Sequence, residues 1–482
     1  MTDREQWTSR RGFILATIGA AVGIGNIWRF SYVAGENGGA VFLGLYLIFV
    51  LLVGLPLVIA ELSLGRRGQG DAVAAFEAAA HGGHWRLIGW VGIIGATLIL
   101  GYYAVIAGWT LKYVADAALG DLWRNGERLT KGYGGYFQAF IASPAEPVFY
   151  QAAMLGLAML VVAGGVKQGI ELINRWLMPI LALIVCGLAG YAITLPGSGA
   201  GVRFLLAPDW GALARPEVYA AALGQAFFSL GVGMSIFITY GSYLPKNISI
   251  PSSASVIVVG DTFFAVVAGL AIFPAVFAFG ADPAAGPELA FVILPRIFLQ
   301  MPGGAIAGTI FFFLLSAAAL TSMVSLLEVS VAMATHRLGM GRRMATAVLG
   351  AVVFLLGLPS ALSFSVLDGV RINGAGVFDT VDAAVSNILL PLGGILIALF
   401  VGWKVRRETP ALRRAGFAVA GIALVQMGLG IATLLSAVAM PLGVAHQTGA
   451  LIVLTLAVWF LYVPGVDETV PARRENSAAP SR

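Results

Sequence analysis

Charge is what this chain has least of. Only 11% of its 482 residues are Asp, Glu, Lys or Arg, against 59% that are hydrophobic, whereas a soluble globular domain averages about 25% charged. With a mean hydropathy of +0.89, no water-soluble fold of this size could hide so much apolar surface, so the solvent is lipid. Cysteine is nearly absent: Cys186 stands alone inside an apolar run, which excludes a disulfide framework and a thiolate metal site. Four scattered histidines offer no metal-ligand spacing. The apolar runs do not alternate with polar residues, which argues against a β-barrel. No polar linker divides the chain, which reads as one transmembrane domain over 1–465 and a polar cytoplasmic tail over 466–482.

What is there is a series of long apolar runs. A bilayer core is roughly 30 Å thick and takes about 20 apolar residues per helical span. Runs between polar breaks place spans near 12–34, 40–65, 87–115, 147–164, 170–195, 217–243, 252–279, 303–336, 343–358, 377–403, 415–440 and 447–463. The fold class is thus an all-α polytopic membrane protein with about twelve helices, or eleven if the last is a packed tail helix. Ser9-Arg10-Arg11 before an apolar stretch has the look of a twin-arginine export signal, but no small-residue cleavage site follows. The better reading makes Arg10 and Arg11 cytoplasmic charges ahead of helix 1. Arg66, Arg67, Arg86, Lys167, Lys246, Arg337, Arg342, Arg343 and the 404–414 cluster fall on the same side, and the longer external loops are poorer in basic residues. This asymmetry puts the N-terminus inside. The net charge of +5 therefore reports topology, not nucleic-acid binding. The stretch 280–302, with four prolines around an apolar run, is expected to be an external loop that folds back on the membrane.

Helices 1 and 6 share an interruption. Helix 1 contains Gly19-Ala20-Ala21-Val22-Gly23-Ile24-Gly25-Asn26, and helix 6 contains Ser229-Leu230-Gly231-Val232-Gly233-Met234. Glycine lets a helix unwind and expose backbone groups, and interrupted spans in corresponding halves point to a transporter site between inverted repeats. Taken singly, each Gly-x-Gly could equally serve close helix packing. A charge at the centre of a span costs on the order of 3 kcal/mol, so Asp261 within helix 7 needs a reason: a cation ligand, or an interhelical hydrogen-bonding partner. Asn26, Ser229, Thr321 and Ser322 are oxygen donors near the break points. Glu61 and Glu171, near the cytoplasmic ends of helices 2 and 5, are explained by solvation or capping. Arg29 and Asp382 could each snorkel to the interface or pair over a cavity.

At these residues the sequence resembles the neurotransmitter:sodium symporters over nearly its whole length, from Trp7 through helix 10. The strongest block is Ala21-Val22-Gly23-Ile24-Gly25-Asn26-Ile27-Trp28-Arg29-Phe30, followed by Glu36-Asn37-Gly38-Gly39. Gly224-Gln225-Ala226-Phe227-Phe228-Ser229-Leu230, Ala319-Leu320-Thr321-Ser322 and Asp379-Thr380-Val381-Asp382 also match. The resemblance implies a LeuT-like 5+5 inverted repeat with discontinuous helices 1 and 6, repeat 1 about 10–195, repeat 2 about 217–403 and extra helices about 411–463. It implies symport of an amino acid with sodium across a bacterial inner (cytoplasmic) membrane, and no enzymatic activity.

Carried over residue by residue, the resemblance assembles one site. The amides of Ile24 and Gly25 and the hydroxyl of Tyr103 would meet the substrate carboxylate, and carbonyls around Ala21, Phe228 and Ser229 its ammonium. A first sodium would bind Ala21, Asn26, Ser229, Asp261 and the substrate carboxylate. A second would bind Gly19, Val22, Ala318, Thr321 and Ser322. Hard oxygen ligands suit such a cation. Gly231 enlarges the pocket, Met234 gives an adaptable wall, and Ile99 and Leu326 make the lining apolar, so the expected substrate is a bulky hydrophobic or aromatic amino acid. Asp261 stands where chloride-dependent relatives have Asn, and Ala265 where they have Ser; chloride is expected not to be required. The gates would be Arg29 with Asp382 outside, and Arg4 with Trp7 inside. His336 replaces the usual acidic partner of Arg4, which puts the inner pair in doubt. Gly169 and Pro179 match a helix 5 pattern of unwinding, or mark a kink.

The rival readings are a proton- or sodium-coupled carrier of another family with the same fold, a channel, and a membrane enzyme. A channel would need a continuous pore and filter. An enzyme would need a convergent nucleophile, base or metal cluster, and the sequence offers none.

Overall fold

A computed structural model describes residues 5–80, 83–128, 132–284, 288–372, 374–385 and 389–401. The described residues are helical apart from loops and one isolated bridge between Ile372 and Ala375. Among the described residues seven helices are long and apolar enough to cross a bilayer: helix 2 (Ala40–Gly68), helix 3 (Arg86–Leu119), helix 4 (Glu146–Ala163), helix 5 (Val166–Ile193), helix 7 (Ile250–Ala278), helix 8 (Gly304–Arg337) and helix 9 (Arg342–Ala361). Helix 1 runs in two pieces, 1a (Arg10–Ala21) and 1b (Gly25–Glu36), bent by 55°. Helix 6 is also in two pieces, 6a (Pro216–Leu230) and 6b (Ile236–Ser242). Helix 10 is described as Val377–Ala384 and Leu390–Phe400. The expected helices over 411–463, the tail 466–482 and Arg4 lie outside the described residues.

Burial ranks the helices. In helices 3 and 8 about four-fifths of the apolar window is buried (78% and 83%), whereas helices 4 and 5 bury only a third or less (33% and 28%). A helix that is apolar all round and buried belongs at the centre of a bundle; one whose apolar face is open belongs at the lipid boundary. Helices 3 and 8 therefore form the inner wall, and the broken helices 1 and 6 lie against it.

The breaks have local causes. Helix 1a stops where Val22 turns to an extended ψ of 108°, and the chain resumes at Gly25 in a short π-helical turn. Helix 6a stops at Gly231, whose φ of +72° caps it with an N–H bond to the Phe227 carbonyl. Gly233 also has a left-handed φ, +88°, and a Cβ there would press on the Leu390 carbonyl and the Gly394 amide of helix 10 at 2.8 and 2.9 Å. Glycine is thus required at Gly233 both for conformation and for close approach.

Two short helices fold over the C-terminal end of helix 3. The stretch expected to fold back contains the helix Leu289–Gln300, and its Phe291 is fully buried. Phe291 stacks on Phe137 of the helix Gly132–Ile141, with centroids 5.4 Å apart and planes at 4°, and both rings meet Trp109 edge-on. The Tyr113 hydroxyl donates to the Phe291 carbonyl at 2.8 Å.

Candidate substrate and cation site

The two breaks face each other across buried polar residues. The Asn26 side-chain oxygen accepts from the Gly23 amide at 3.1 Å, and its Nδ2 donates to Asp261 Oδ1 at 2.6 Å and Ser229 Oγ at 2.9 Å. Ser229 Oγ donates to Asp261 Oδ2 at 2.8 Å and lies 3.1 Å from the Tyr46 hydroxyl. Asn26, Ser229 and Asp261 are all buried. Among the described residues no basic side chain pairs with Asp261. A carboxylate ringed by neutral oxygens and amides, inside a membrane, is a setting for a hard cation.

A second group of oxygens converges where helix 1a ends against helix 8. Thr321 Oγ1 donates to the Ala318 carbonyl at 2.9 Å and lies 3.5 Å from the Val22 carbonyl; Ser322 Oγ is 3.3 Å from the Ala20 carbonyl and 3.4 Å from that of Val22. Four of the five residues expected here are thus together. Gly19 sits one step earlier in helix 1a, against Asn174 of helix 5. Ala20 was missed by sequence reasoning, although the last carbonyls of an interrupted helix are orphaned and available as ligands.

Between the breaks lies a cavity of about 30 Å³ walled by Ala20, Ala21, Gly23, Gly25, Ile99, Tyr103, Phe228, Ser229, Gly231, Met234, Ile236, Ser322 and Leu326. Every expected substrate-binding residue except Ile24 is on this wall, and the Ile24 amide points at it, donating to the Tyr103 hydroxyl at 3.1 Å. Gly23 and Ile236 also line it; both belong to the same interrupted stretches. The lining is mostly apolar, with Tyr103, Ser229 and Ser322 among the polar residues on it, as small-molecule sites are built.

Above it opens a vestibule of about 250 Å³ that shares Gly25, Tyr103 and Phe228 with the lower cavity. Arg29 and Asp382, the expected outer gate, both line this vestibule. Arg29 lies over the Phe228 ring, 4.5 Å from its centroid, and donates to Gln225 Oε1 at 2.9 Å. Gln225, fully buried, in turn donates to the Gly25 carbonyl at 2.9 Å. This amide, which sequence reasoning quoted only as motif, ties Arg29 to the interrupted part of helix 1.

Two carboxylates were misread from sequence. Glu61 and Glu171 are not solvated at helix ends; both are fully buried. Glu61 Oε1 accepts from the Gly233 amide at 2.7 Å, so it holds the broken part of helix 6. Glu171 accepts from the Thr8 amide at 2.9 Å and from the Thr8 hydroxyl, clasping the segment before helix 1a.

The end of the bundle that holds Trp7 is closed by a different set of charges than the family pattern suggests. Trp7 is buried, with its indole N–H on the Tyr240 carbonyl at 2.9 Å. His336, at the position of the missing acid, meets Asp71 at 2.7 Å instead. Arg342 binds Glu328 through both terminal nitrogens, the shorter contact 2.5 Å, and also reaches Glu5 at 3.2 Å and the Val162 carbonyl at 2.7 Å. Helix 5 has not unwound at Gly169 but is π-helical over Val166–Glu171, a feature frequent at functional sites.

Paired broken helices around a buried oxygen site define a secondary transporter of the inverted-repeat type. The comparisons agree with that class. The family model for the sodium:neurotransmitter symporter family matches residues 4–128 and 140–403; this chain belongs to that family, and is a membrane transporter, not an enzyme. It is 42% identical over 403 residues to an uncharacterized sodium-dependent transporter of Bacillus subtilis, covering 84% of this chain and 88% of the relative. It is 34% identical to another of Haemophilus influenzae, covering 84% and 90%. The crystal structure of MhsT in complex with L-phenylalanine matches with a TM-score of 0.80 and 45% identity, over 95% of this chain and 99% of that one. The fold is therefore the LeuT fold. A family model for a cytochrome oxidase assembly protein also matches residues 386–458, a stretch mostly outside the described residues that contains none of the site.

Proposed function

We propose that this transporter couples the inward movement of a bulky hydrophobic or aromatic amino acid to two sodium ions, without chloride, across a bacterial inner membrane with its N-terminus in the cytoplasm. The observation that carries the reading is the Asn26–Ser229–Asp261 cluster, buried beside a mostly apolar cavity that Ser229 also lines. The amides of Ile24 and Gly25 and the Tyr103 hydroxyl would receive the substrate carboxylate. Ala21, Asn26, Ser229 and Asp261 would hold the first sodium together with that carboxylate, and Gly19, Val22, Ala318, Thr321 and Ser322 the second. A carboxylate shared by substrate and cation makes each raise the affinity of the other, by the same factor in both directions. The fixed charge of Asp261 removes the need for chloride. Gly231, Met234, Ile99 and Leu326 give the cavity an apolar wall that would have to part to admit a large side chain, and the phenylalanine bound by MhsT is of that class.

Uptake of radiolabelled tryptophan, leucine and glycine into proteoliposomes, with and without an inward sodium gradient, tests the reading. Concentrative uptake of the larger two that vanishes in potassium buffer, and that survives replacement of chloride by gluconate, is the expected result. A preference for glycine would overturn the substrate class. Uptake indifferent to sodium would overturn the coupling, and collapse in gluconate the role given to Asp261.

A further inference from the structure

Two polar side chains of helix 5 are sunk against glycines of helix 1a. Glu171 lies over Gly12 and Asn174 over Gly19; a Cβ on either glycine would collide with the facing side-chain oxygen. Glu171 is well partnered, by Thr8, Ser9 and Arg175. Asn174 is not. It is 1% exposed, its Nδ2 donates to the Ile170 carbonyl at 2.9 Å, and its Oδ1 has no hydrogen-bond partner. The bond to Ile170 fixes which way the amide points, because reversing it would set two oxygens against each other.

A buried acceptor without a donor is rare and calls for a reason. Its place supplies one. Along helix 1a the order is Thr8 at the cytoplasmic entrance, then Gly12, Gly19 and the Val22 carbonyl beside Thr321 and Ser322. Asn174 Oδ1 therefore lies between the second cluster of oxygens and the cytoplasm, with Glu171 one turn nearer the exit. The turn just before Asn174, Val166–Glu171, is π-helical and begins after Gly165 at a φ of +85°, a feature frequent at functional sites.

We propose that Asn174 Oδ1 is a transient ligand for the monovalent cation, with its hydrating water, as it leaves the second oxygen cluster for the cytoplasm. The proposal rests on the sodium-coupled reading above. It predicts a residue needed for turnover and dispensable for binding.

The test uses the full-length protein carrying Asn174→Leu, of similar shape but without the oxygen. Sodium-dependent binding of radiolabelled substrate in detergent is compared with net uptake in proteoliposomes. The expected result is half-saturating sodium for binding within about twofold of wild type and turnover reduced about tenfold, the scale of one lost bond to a charge. Wild-type turnover in Asn174→Leu overturns the proposal, as does an equal loss of binding and turnover in a folded protein. If Asn174→Leu does not fold, Asn174→Ser and Asn174→Ala are compared, which differ in one hydroxyl. Turnover at least about fivefold faster with serine supports the transient ligand, and equal turnover overturns it. Wild-type protein that binds and transports without sodium would instead refute the sodium-coupled reading itself.

Discussion

Asp261→Asn removes one charge and almost no volume from the centre of the site. The amide can keep the bond from Asn26 through its oxygen, now 2.6 Å from Nδ2, but its nitrogen replaces the oxygen that accepts from Ser229 at 2.8 Å. Ser229 must then turn its proton away, toward Tyr46 at 3.1 Å. Exchanging one charge-assisted bond for a neutral one lowers the stability of the cluster by about 1 kcal/mol. The larger effect is on the cation. At an effective dielectric of about 20, a unit charge about 4 Å away contributes about 4 kcal/mol. Part of that is returned because a buried carboxylate no longer has to be desolvated. A net loss of about 2 kcal/mol corresponds to a rise of about 30-fold in half-saturating sodium. The assay is sodium titration of radiolabelled substrate binding, in chloride and again in gluconate. Chloride is expected to recover part of the lost affinity in the variant and to do nothing to the wild type, since a mobile anion can stand in for the missing fixed one. A half-saturating sodium within about threefold of wild type, in either buffer, would refute the argument that Asp261 is the cation's charge partner.

Three further outcomes are expected. Tyr103→Phe removes the hydroxyl beside the Ile24 amide; the loss of a hydrogen bond to a carboxylate should weaken substrate binding by about 10- to 100-fold, measured by competition binding at saturating sodium. Glu61→Gln keeps an acceptor for the Gly233 amide and should transport, whereas Glu61→Leu leaves that amide unpaired and should lower thermal stability by about 1–3 kcal/mol, measured by thermal unfolding in detergent. Gly231→Ala puts a Cβ 3.6 Å from Ile236 in a left-handed backbone; it should cost about 1 kcal/mol of stability and shift relative uptake from tryptophan toward leucine.

Sequence periodicity and composition were enough to place the ten described spans within a few residues, because lipid leaves a helix little choice but to be apolar for its whole crossing. The largest differences are four residues: helix 3 runs to Leu119 where a stop at 115 was expected, and helix 5 begins at Val166 where a start at 170 was. The breaks were legible because each carries Gly-x-Gly beside a polar residue. Glu61 and Glu171 were not, since nothing in a single sequence tells whether a carboxylate near a helix end meets water or the backbone of a distant, interrupted helix. Gly233 is 172 positions from Glu61 in the chain. The closure around Trp7 was half legible: the loss of an acid at His336 was plain, but not that Asp71 would receive the histidine, nor that Arg342 would join Glu328, Glu5 and Val162.

The Ile24 amide is already donating to Tyr103, the Gly23 amide to Asn26, and Asn26 and Ser229 to Asp261. A substrate and its cations arriving here would displace bonds as they make them. The gain on loading is then a difference between two sets of similar contacts, and the same difference is what must be surrendered on unloading. A receptor profits from a site whose groups wait unpaired, because affinity is its product. A carrier's product is cycles, and a site that can satisfy itself keeps the loaded and unloaded states near one level, so that neither becomes a trap.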